Sequence, residues 1–257
     1  MNRSHETLVE SQFGSRAGAY LTSEVHAHGA DLEALTELAR RRPGARILDL
    51  GCGGGHVSFG AAPHAGEVVA YDLSTDMLAV VEATAKERGL RNVNTRQGTA
   101  EDLPFEDASF DVVLSRYSAH HWRDFAGGLR EAARVLKPGG VAGFVDAVAP
   151  GTALRDTFFQ TIEMLRDPSH VRDYARAEWE ACLAAAGLVC ETTRRFRVRL
   201  DFTSWVGRMA TPDAQVAAIR ALQKAVSSDV TSYFETTPDG SFSIDVALFE
   251  AGKMPAG

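Results

Sequence analysis

The sequence is short of the features that mark several large classes of protein. Its 257 residues include only three cysteines, Cys52, Cys182 and Cys190, with neither metal-ligand spacing nor an obvious pairing. That usage fits a reducing cytoplasm and not a disulfide-stapled secreted domain. Positive charge is in deficit: 27 lysines and arginines against 34 aspartates and glutamates leave a formal net charge of −7. Such a summed field does not favour a polyanion, so nucleic acid is not expected as a partner. No stretch approaches the roughly 18 uninterrupted apolar residues of a membrane span, and the opening "MNRSHETLVESQFGSRAGAY" lacks the apolar core of a signal peptide. A cytoplasmic protein with no membrane span is expected. Repeats, low-complexity tracts and long linkers are missing too, so 1–257 reads as one domain.

What is present is an alternation of strands and helices. A helix is expected over 31–41, with Leu32, Leu35 and Leu38 on one face, followed by a Pro-Gly break and a buried strand at 45–50. Further strands are expected at 67–72, 92–97, 110–115 and 141–147, the last entered through the turn "KPGG". Helices at 75–89 and 124–136 lie between them. This spacing predicts a doubly wound, mostly parallel α/β sheet. Helices follow at 152–165, 175–186 and 211–226. Between the last two, "RRFRVRLDF" alternates Phe196, Val198 and Leu200 with Arg195, Arg197 and Arg199. A strand with one charged face reads first as a protected edge strand, and second as an anion site. A closing strand is expected at 241–252.

The chemistry starts at "ILDLGCGGGHVSFG", residues 47–60, where a strand runs into glycines. The dinucleotide fingerprint G-x-G-x-x-G fails there, because the third glycine is His56 in one frame and Ser58 in the other. No Gly-Lys-Ser/Thr closes a P-loop either. Asp49 ends the first strand, where a carboxylate repels a pyrophosphate and attracts an ammonium group. Asp72 ends the second, where an acid in an open α/β sheet accepts hydrogen bonds from a ribose. A ligand with an ammonium group, a ribose and no phosphate is S-adenosylmethionine.

Four segments, "ILDLGCGGG", "VVAYDLSTDML", "GTAEDLPFEDASFDVVLS" and "REAARVLKPGG", make residues 45–147 resemble the class I S-adenosylmethionine-dependent methyltransferases, in the branch related to ubiquinone and menaquinone C-methyltransferases. The resemblance implies a Rossmann-like seven-stranded sheet of order 3-2-1-4-5-7-6, its last strand antiparallel, with helices on both faces and a helical lid. It divides the chain into an N-terminal helical cap (1–44), a cofactor-binding core (45–147), and lid helices with a terminal strand pair (148–257). It places the methionine end of the cofactor on Asp49, Gly51, Cys52 and Gly53, the ribose on Asp72, and the adenine between Leu73 and Met77. The adenine edge falls to Thr99, Ala100 and Glu101, with threonine standing where many relatives have aspartate. Ser115 would face the sulfonium. "FGSRAGAY" resembles the family's aromatic N-terminal segment and suggests that Tyr20, and with it Phe13, closes over the cofactor, with Phe158 and Phe159 adding apolar surface to the lid.

Methyl transfer is an in-line displacement on an activated sulfonium, so alignment and exclusion of water are the main tasks. A base is needed only where the acceptor must lose a proton. "SRYSAHHW" follows the fourth strand and offers Tyr117, His120 and His121, with His120 as the candidate base. "DPSHVRDY" puts His170 and Arg172 in the expected lid, as substrate contacts. No metal is expected, because His26-x-His28 and His120-His121 lack further ligands at close spacing. The expected partner is a small-molecule carbon or oxygen acceptor. The alternatives are methylation of RNA or protein, and a cofactor-binding regulator without catalysis.

Overall fold

The computed structural model describes residues 4–14 and 29–255. The described residues form a seven-stranded sheet of order β3-β2-β1-β4-β5-β7-β6. The strands are β1 (Arg46–Leu50), β2 (Glu67–Asp72), β3 (Val93–Gln97), β4 (Phe110–Arg116), β5 (Leu136–Ala147), β6 (Leu188–Leu200) and β7 (Phe242–Lys253). The first five run parallel, and β7 lies antiparallel between β5 and β6. This is the order and direction the resemblance implies. Tyr20, His26 and His28 lie outside the described residues.

The helices are α1 (His5–Gly14), α2 (Ala30–Arg40), α3 (His56–Ala61), α4 (Thr75–Glu87), α5 (Phe125–Val135), α6 (Ala153–Arg166), α7 (Arg176–Ala185), α8 (Phe202–Arg208), α9 (Asp213–Ala225) and α10 (Ser228–Tyr233). They cover both faces of the sheet, which is why β1 and β4 read as continuous apolar runs and not as alternating ones. On one face Leu35 and Leu38 of α2 and Phe159 and Ile162 of α6 pack against Ile47, Leu114 and Leu248. On the other, Leu129 of α5 and Trp179 and Leu183 of α7 pack against Leu48, Val113, Phe144 and Phe249. The α2 face comes so close that a Cβ on Gly143 would meet Leu38 at 2.3 Å. Among the described residues no helix is long and apolar enough to cross a membrane.

Several expectations need correction. The "KPGG" turn is a kink inside β5, which begins at Leu136 and slips register against β4 between Phe110 and Val112. Strand β6 starts six residues before the arginine alternation and ends at Leu200, because Asp201 caps α8 through the Ser204 amide (2.8 Å). It is the edge strand. Its arginines serve the fold: Arg197 bonds Asp245 (3.1 Å) and the Tyr233 carbonyl, and Arg199 bonds the Glu235 carbonyl (2.6 Å) and Thr237 (2.6 Å). Phe158 and Phe159 are not a ligand cover. Both are buried against Phe234 in the core.

Trp179 stacks on Phe249 (centroids 4.8 Å apart, 13° between planes), takes the Phe125 ring edge-on at 4.6 Å and is fully buried. Trp179→Ala should therefore cost about 3–5 kcal/mol of stability, read as a lower urea midpoint. A loss below 1 kcal/mol would show that α7 is not part of the cooperative core.

Candidate active site

The strand order reverses direction between β1 and β4, and a cleft opens at the carboxyl ends of these strands. Its floor is the glycine turn after β1. Gly51 has φ 72°, a left-handed conformation suited to glycine. A side chain there would also collide with Ser118 Oγ at 1.8 Å. Gly53, at φ 49°, faces open space, so the backbone itself forms the wall. The amides of Gly51 and Cys52 donate to the Tyr71 carbonyl (2.8 and 3.0 Å), and the Gly53 amide donates to Asp72 Oδ2 (2.8 Å). The turn is thus fastened to the end of β2.

Asp49 is 1% exposed and takes Ser58 Oγ on Oδ2 at 2.6 Å. Its Oδ1 is buried without a hydrogen-bond partner among the described residues. Burial, opposed by the Ser58 bond and reinforced by the negative Asp72, pushes its carboxyl up to about 7. An orphaned carboxylate oxygen aimed at the cleft is what a cofactor's ammonium group requires. Asp72 accepts from the Gly53 and Ser74 amides, and burial holds its carboxyl above the usual range. Leu73, Met77, Thr99, Ala100 and Glu101 line the same cleft. Tyr71 holds the 98–102 segment through its hydroxyl bond to the Thr99 carbonyl (3.1 Å). The residues therefore fit S-adenosylmethionine.

Ser115 does not share this wall; it is buried on β4, and neither cavity reaches it. Counting three residues too few along the chain explains the miss, since Ser118 lines the cleft, its Oγ accepting from Trp122 Nε1 (3.0 Å). The sequence reading also missed Arg116, which pairs with Asp31 at 2.7 Å with both side chains buried, and the α1 residues His5, Glu6 and Val9. Phe13 does line the cleft.

A second chamber adjoins the cleft, and Phe13, Tyr117 and His121 line both. Tyr117 has φ 51°, a strained conformation for a non-glycine residue. It ends β4 by turning the chain toward the 3-10 turn Ala119–His121. His120 lines the inner chamber. Its Nδ1–H donates to Asp146 Oδ1 at 2.6 Å, and its amide donates to Asp146 Oδ2 at 3.3 Å. Burial alone would lower its pKa, but the charge and hydrogen bond of Asp146 outweigh this and raise it to about 9. His121 is pushed down to about 4 by burial and by His120; its Nδ1–H donates to the Ser169 carbonyl (3.1 Å). Two other expected substrate contacts point elsewhere. His170 is buried behind His120 and bonds Gln160 Oε1 (2.9 Å), while Arg172 pairs with Asp156 (3.1 Å) and Glu178 (3.3 Å) away from both cavities. Their segment matters through its backbone, since the amides of Val171 and Arg172 bond the His120 carbonyl (2.8 and 3.2 Å). Asp146 was missed, although a lone acid in "GFVDAVA" was the available signal.

The model of a protein family described as "Methyltransferase domain" matches residues 48–144. The uncharacterized protein YafE of Escherichia coli (strain K12) is 49% identical over 199 residues, 77% of this chain and 96% of that one. The uncharacterized methyltransferase YcgJ of Bacillus subtilis (strain 168) is 38% identical over 203 residues, 79% of this chain and 80% of that one. The solved YcgJ structure matches with a TM-score of 0.85 at 33% identity, covering 89% of this chain and 100% of that one. A demethylmenaquinone methyltransferase of Lactococcus lactis is 42% identical over 100 residues, 38% of this chain and 40% of that one.

Two outcomes follow from the cleft. Charge-assisted hydrogen bonds contribute roughly 1.5–3 kcal/mol each, so Asp72→Ala should weaken S-adenosylhomocysteine binding at least about tenfold in a folded protein. An unchanged dissociation constant by calorimetry would remove Asp72 from the ribose. The second concerns pH. Only the ionised Asp49 can hold an ammonium group, and its carboxyl titrates at about 7. Affinity should therefore rise between about pH 6 and about pH 8 with release of a proton, and Asp49→Asn should flatten that rise. A wild-type affinity independent of pH across this range would contradict the ammonium contact.

Proposed function

Since the chain belongs to the S-adenosylmethionine-dependent methyltransferases, we propose that it methylates a carbon or oxygen atom of a small molecule held in the inner chamber. The observation that carries this reading is the junction of the two cavities at Phe13, Tyr117 and His121. When bound, the cofactor supplies an electrophilic methyl group. Asp49 and the glycine turn orient its amino-acid end, and Asp72 its ribose. Phe13 from α1 and Tyr117 from the end of β4 form the passage through which an acceptor would meet the methyl group, with water displaced by their rings.

The chamber suits an amphipathic acceptor. Val198, Leu200, Trp205 and Ile244 make an apolar side, and His120, Glu163, Arg166, Asp167, Asp173 and Arg208 a polar one. An apolar wall facing a few polar groups is the usual make-up of a small-molecule site. A polynucleotide would require an open basic groove, and the net charge of −7 does not favour one. Where the acceptor is a hydroxyl, His120 is the candidate base, and with Asp146 raising its pKa to about 9 it would take the acceptor's proton only in alkaline solution.

Calorimetry should show S-adenosylmethionine and S-adenosylhomocysteine binding with micromolar affinity and NAD not binding. Tighter binding of NAD would sink the reading. Incubation with radiolabelled S-adenosylmethionine and a panel of apolar phenols and enols should then label a small molecule. Label found only in tRNA or protein would move the acceptor class, and binding without turnover on any acceptor would favour a regulator.

A further inference from the structure

Glu163, Asp167 and Asp173 line one corner of the inner chamber, with Arg166 beside them, and Asp146 stands behind His120 at its wall. Asp146, Glu163, Asp167 and Asp173 are all buried. Three have partners. Glu163 faces Arg166 (3.4 Å), Asp167 accepts from the Ser169 amide and hydroxyl (2.9 and 2.6 Å), and Asp146 accepts from His120 and the Ala147 amide (2.9 Å). Asp173 is different. It is 2% exposed and lines the chamber, yet its Oδ2 has no hydrogen-bond partner among the described residues. The nearest candidate, His170 Nε2, is 3.8 Å away and already bonded to Gln160. A buried carboxyl in this position stays neutral unless a cation meets its free oxygen.

We propose that His120, Asp146 and Asp173 bind a divalent transition-metal ion on the wall of the inner chamber. One ligand atom from each of the three lies within 4.8 Å of the other two. Tetrahedral bonds of about 2.1 Å would put them roughly 3.4 Å apart, so the His120–Asp146 contact opens slightly while Asp173 closes in. Coordination displaces the proton shared by His120 Nδ1 and Asp146 to solvent, and the ion takes over as their common partner.

The supporting structure is rigid. Asp146 is the penultimate residue of β5. His120 is tied to the 167–173 segment by the Val171 and Arg172 amides, and the Asp173 backbone is held at both ends by Gln160 (N–H to Oε1 3.1 Å, Nε2 to C=O 2.8 Å). One imidazole and two carboxylates form a mixed donor set suited to Zn²⁺ or Mn²⁺, and three protein ligands leave a position open for an oxygen from the chamber. Resting on the methyl-transfer reading, that oxygen is the acceptor's hydroxyl. The ion lowers its pKa, the proton leaves to solvent, and the oxygen lone pair attacks the methyl carbon as the bond from that carbon to sulfur breaks.

The test uses the full chain stripped by chelator and titrated with Zn²⁺, Mn²⁺, Co²⁺ and Mg²⁺ by calorimetry, with visible absorption for Co²⁺. One equivalent of Zn²⁺ or Co²⁺ should bind, with a Co²⁺ spectrum of nitrogen and oxygen ligands and no thiolate band. Loss of a group outside the metal's direct ligands typically weakens metal binding 10–100-fold, so Asp173→Asn should weaken it at least about 100-fold while S-adenosylhomocysteine still binds. His120→Asn is the second variant should the first not fold. No uptake by the wild-type chain, uptake unchanged in these variants, or a thiolate spectrum would each overturn the site. In all three cases intact S-adenosylhomocysteine binding would leave the methyltransferase reading standing; its loss in the wild-type chain would bring down that reading and not the metal site.

Discussion

A carboxylate sealed among apolar side chains must find a partner, and this constraint organises both cavities. Asp49 lies in a strand whose neighbours Leu48 and Leu50 are buried in the core. One of its oxygens is satisfied by Ser58, one turn into α3, and the other is aimed at the cleft. Asp72 shows the same constraint met differently. Its two oxygens receive the amides of Gly53 and Ser74, and those bonds hold the glycine turn in its left-handed shape. The conformation of the floor therefore depends on the end of the neighbouring strand. A change at Asp72 acts on ligand contact and turn geometry together.

The inner chamber repeats the pattern one strand away from the switch point. Asp146 is placed on β5 as Asp49 is on β1, near the carboxyl end of a buried parallel strand. Its partners come from the loop after β4: the ring and the amide of His120. That loop is bent by the strained Tyr117 and anchored from outside by residues 167–173. Strain of this kind persists only where the surroundings over-determine it. Here the Tyr117 amide is held by the Val145 carbonyl (2.8 Å), while Phe13 packs edge-on against His121 (4.9 Å). The passage between the cavities is consequently built from residues fixed both by backbone bonds and by contacts of their own rings, His121 also bonding the Ser169 carbonyl.

This explains which parts were legible in the sequence. Asp49 and Asp72 were readable because each lies beside its own signal, a strand end followed by glycine or by a helix cap, whereas the strand order followed from the resemblance of four segments to a known family. Helices α3, α8 and α10 were not, being of six, seven and six residues, too short to display a helical period. Ser115 was misplaced because a strand end, read without its neighbours, does not reveal where the chain leaves the sheet. His170 and Arg172 were read as ligand contacts because they are polar residues near a pocket; in three dimensions one is locked to Gln160 and the other to two carboxylates. The convergence of His120 with Asp146 and Asp173 spans 26 and 53 residues along the chain, and no local pattern encodes it. Close spacing along the chain could not have found this cluster of side chains, which only the fold assembles.

The two cavities also differ in which part of the chain makes them. Apart from α1, the cleft draws its walls from residues up to Arg123, inside the stretch that marks the chain as a methyltransferase. The inner chamber takes Glu163, Arg166, Asp167, Asp173, Val198, Leu200, Trp205, Arg208 and Ile244 from later elements, adding only a few residues such as Tyr117 and His120 from the earlier part. Likeness over the first part therefore speaks for the methyl donor and leaves the acceptor to be decided by the second. The apolar side of the chamber comes from β6, β7 and α8, the polar side from the end of α6 and the segment after it. On the proposed reading, changes in α6 and α8 alter the acceptor without disturbing Asp49, Asp72 or the glycine turn, because no residue of either helix lines the cleft. Acceptor choice and donor binding are separable on that reading, and the shared wall of Phe13, Tyr117 and His121 is where they must stay in register.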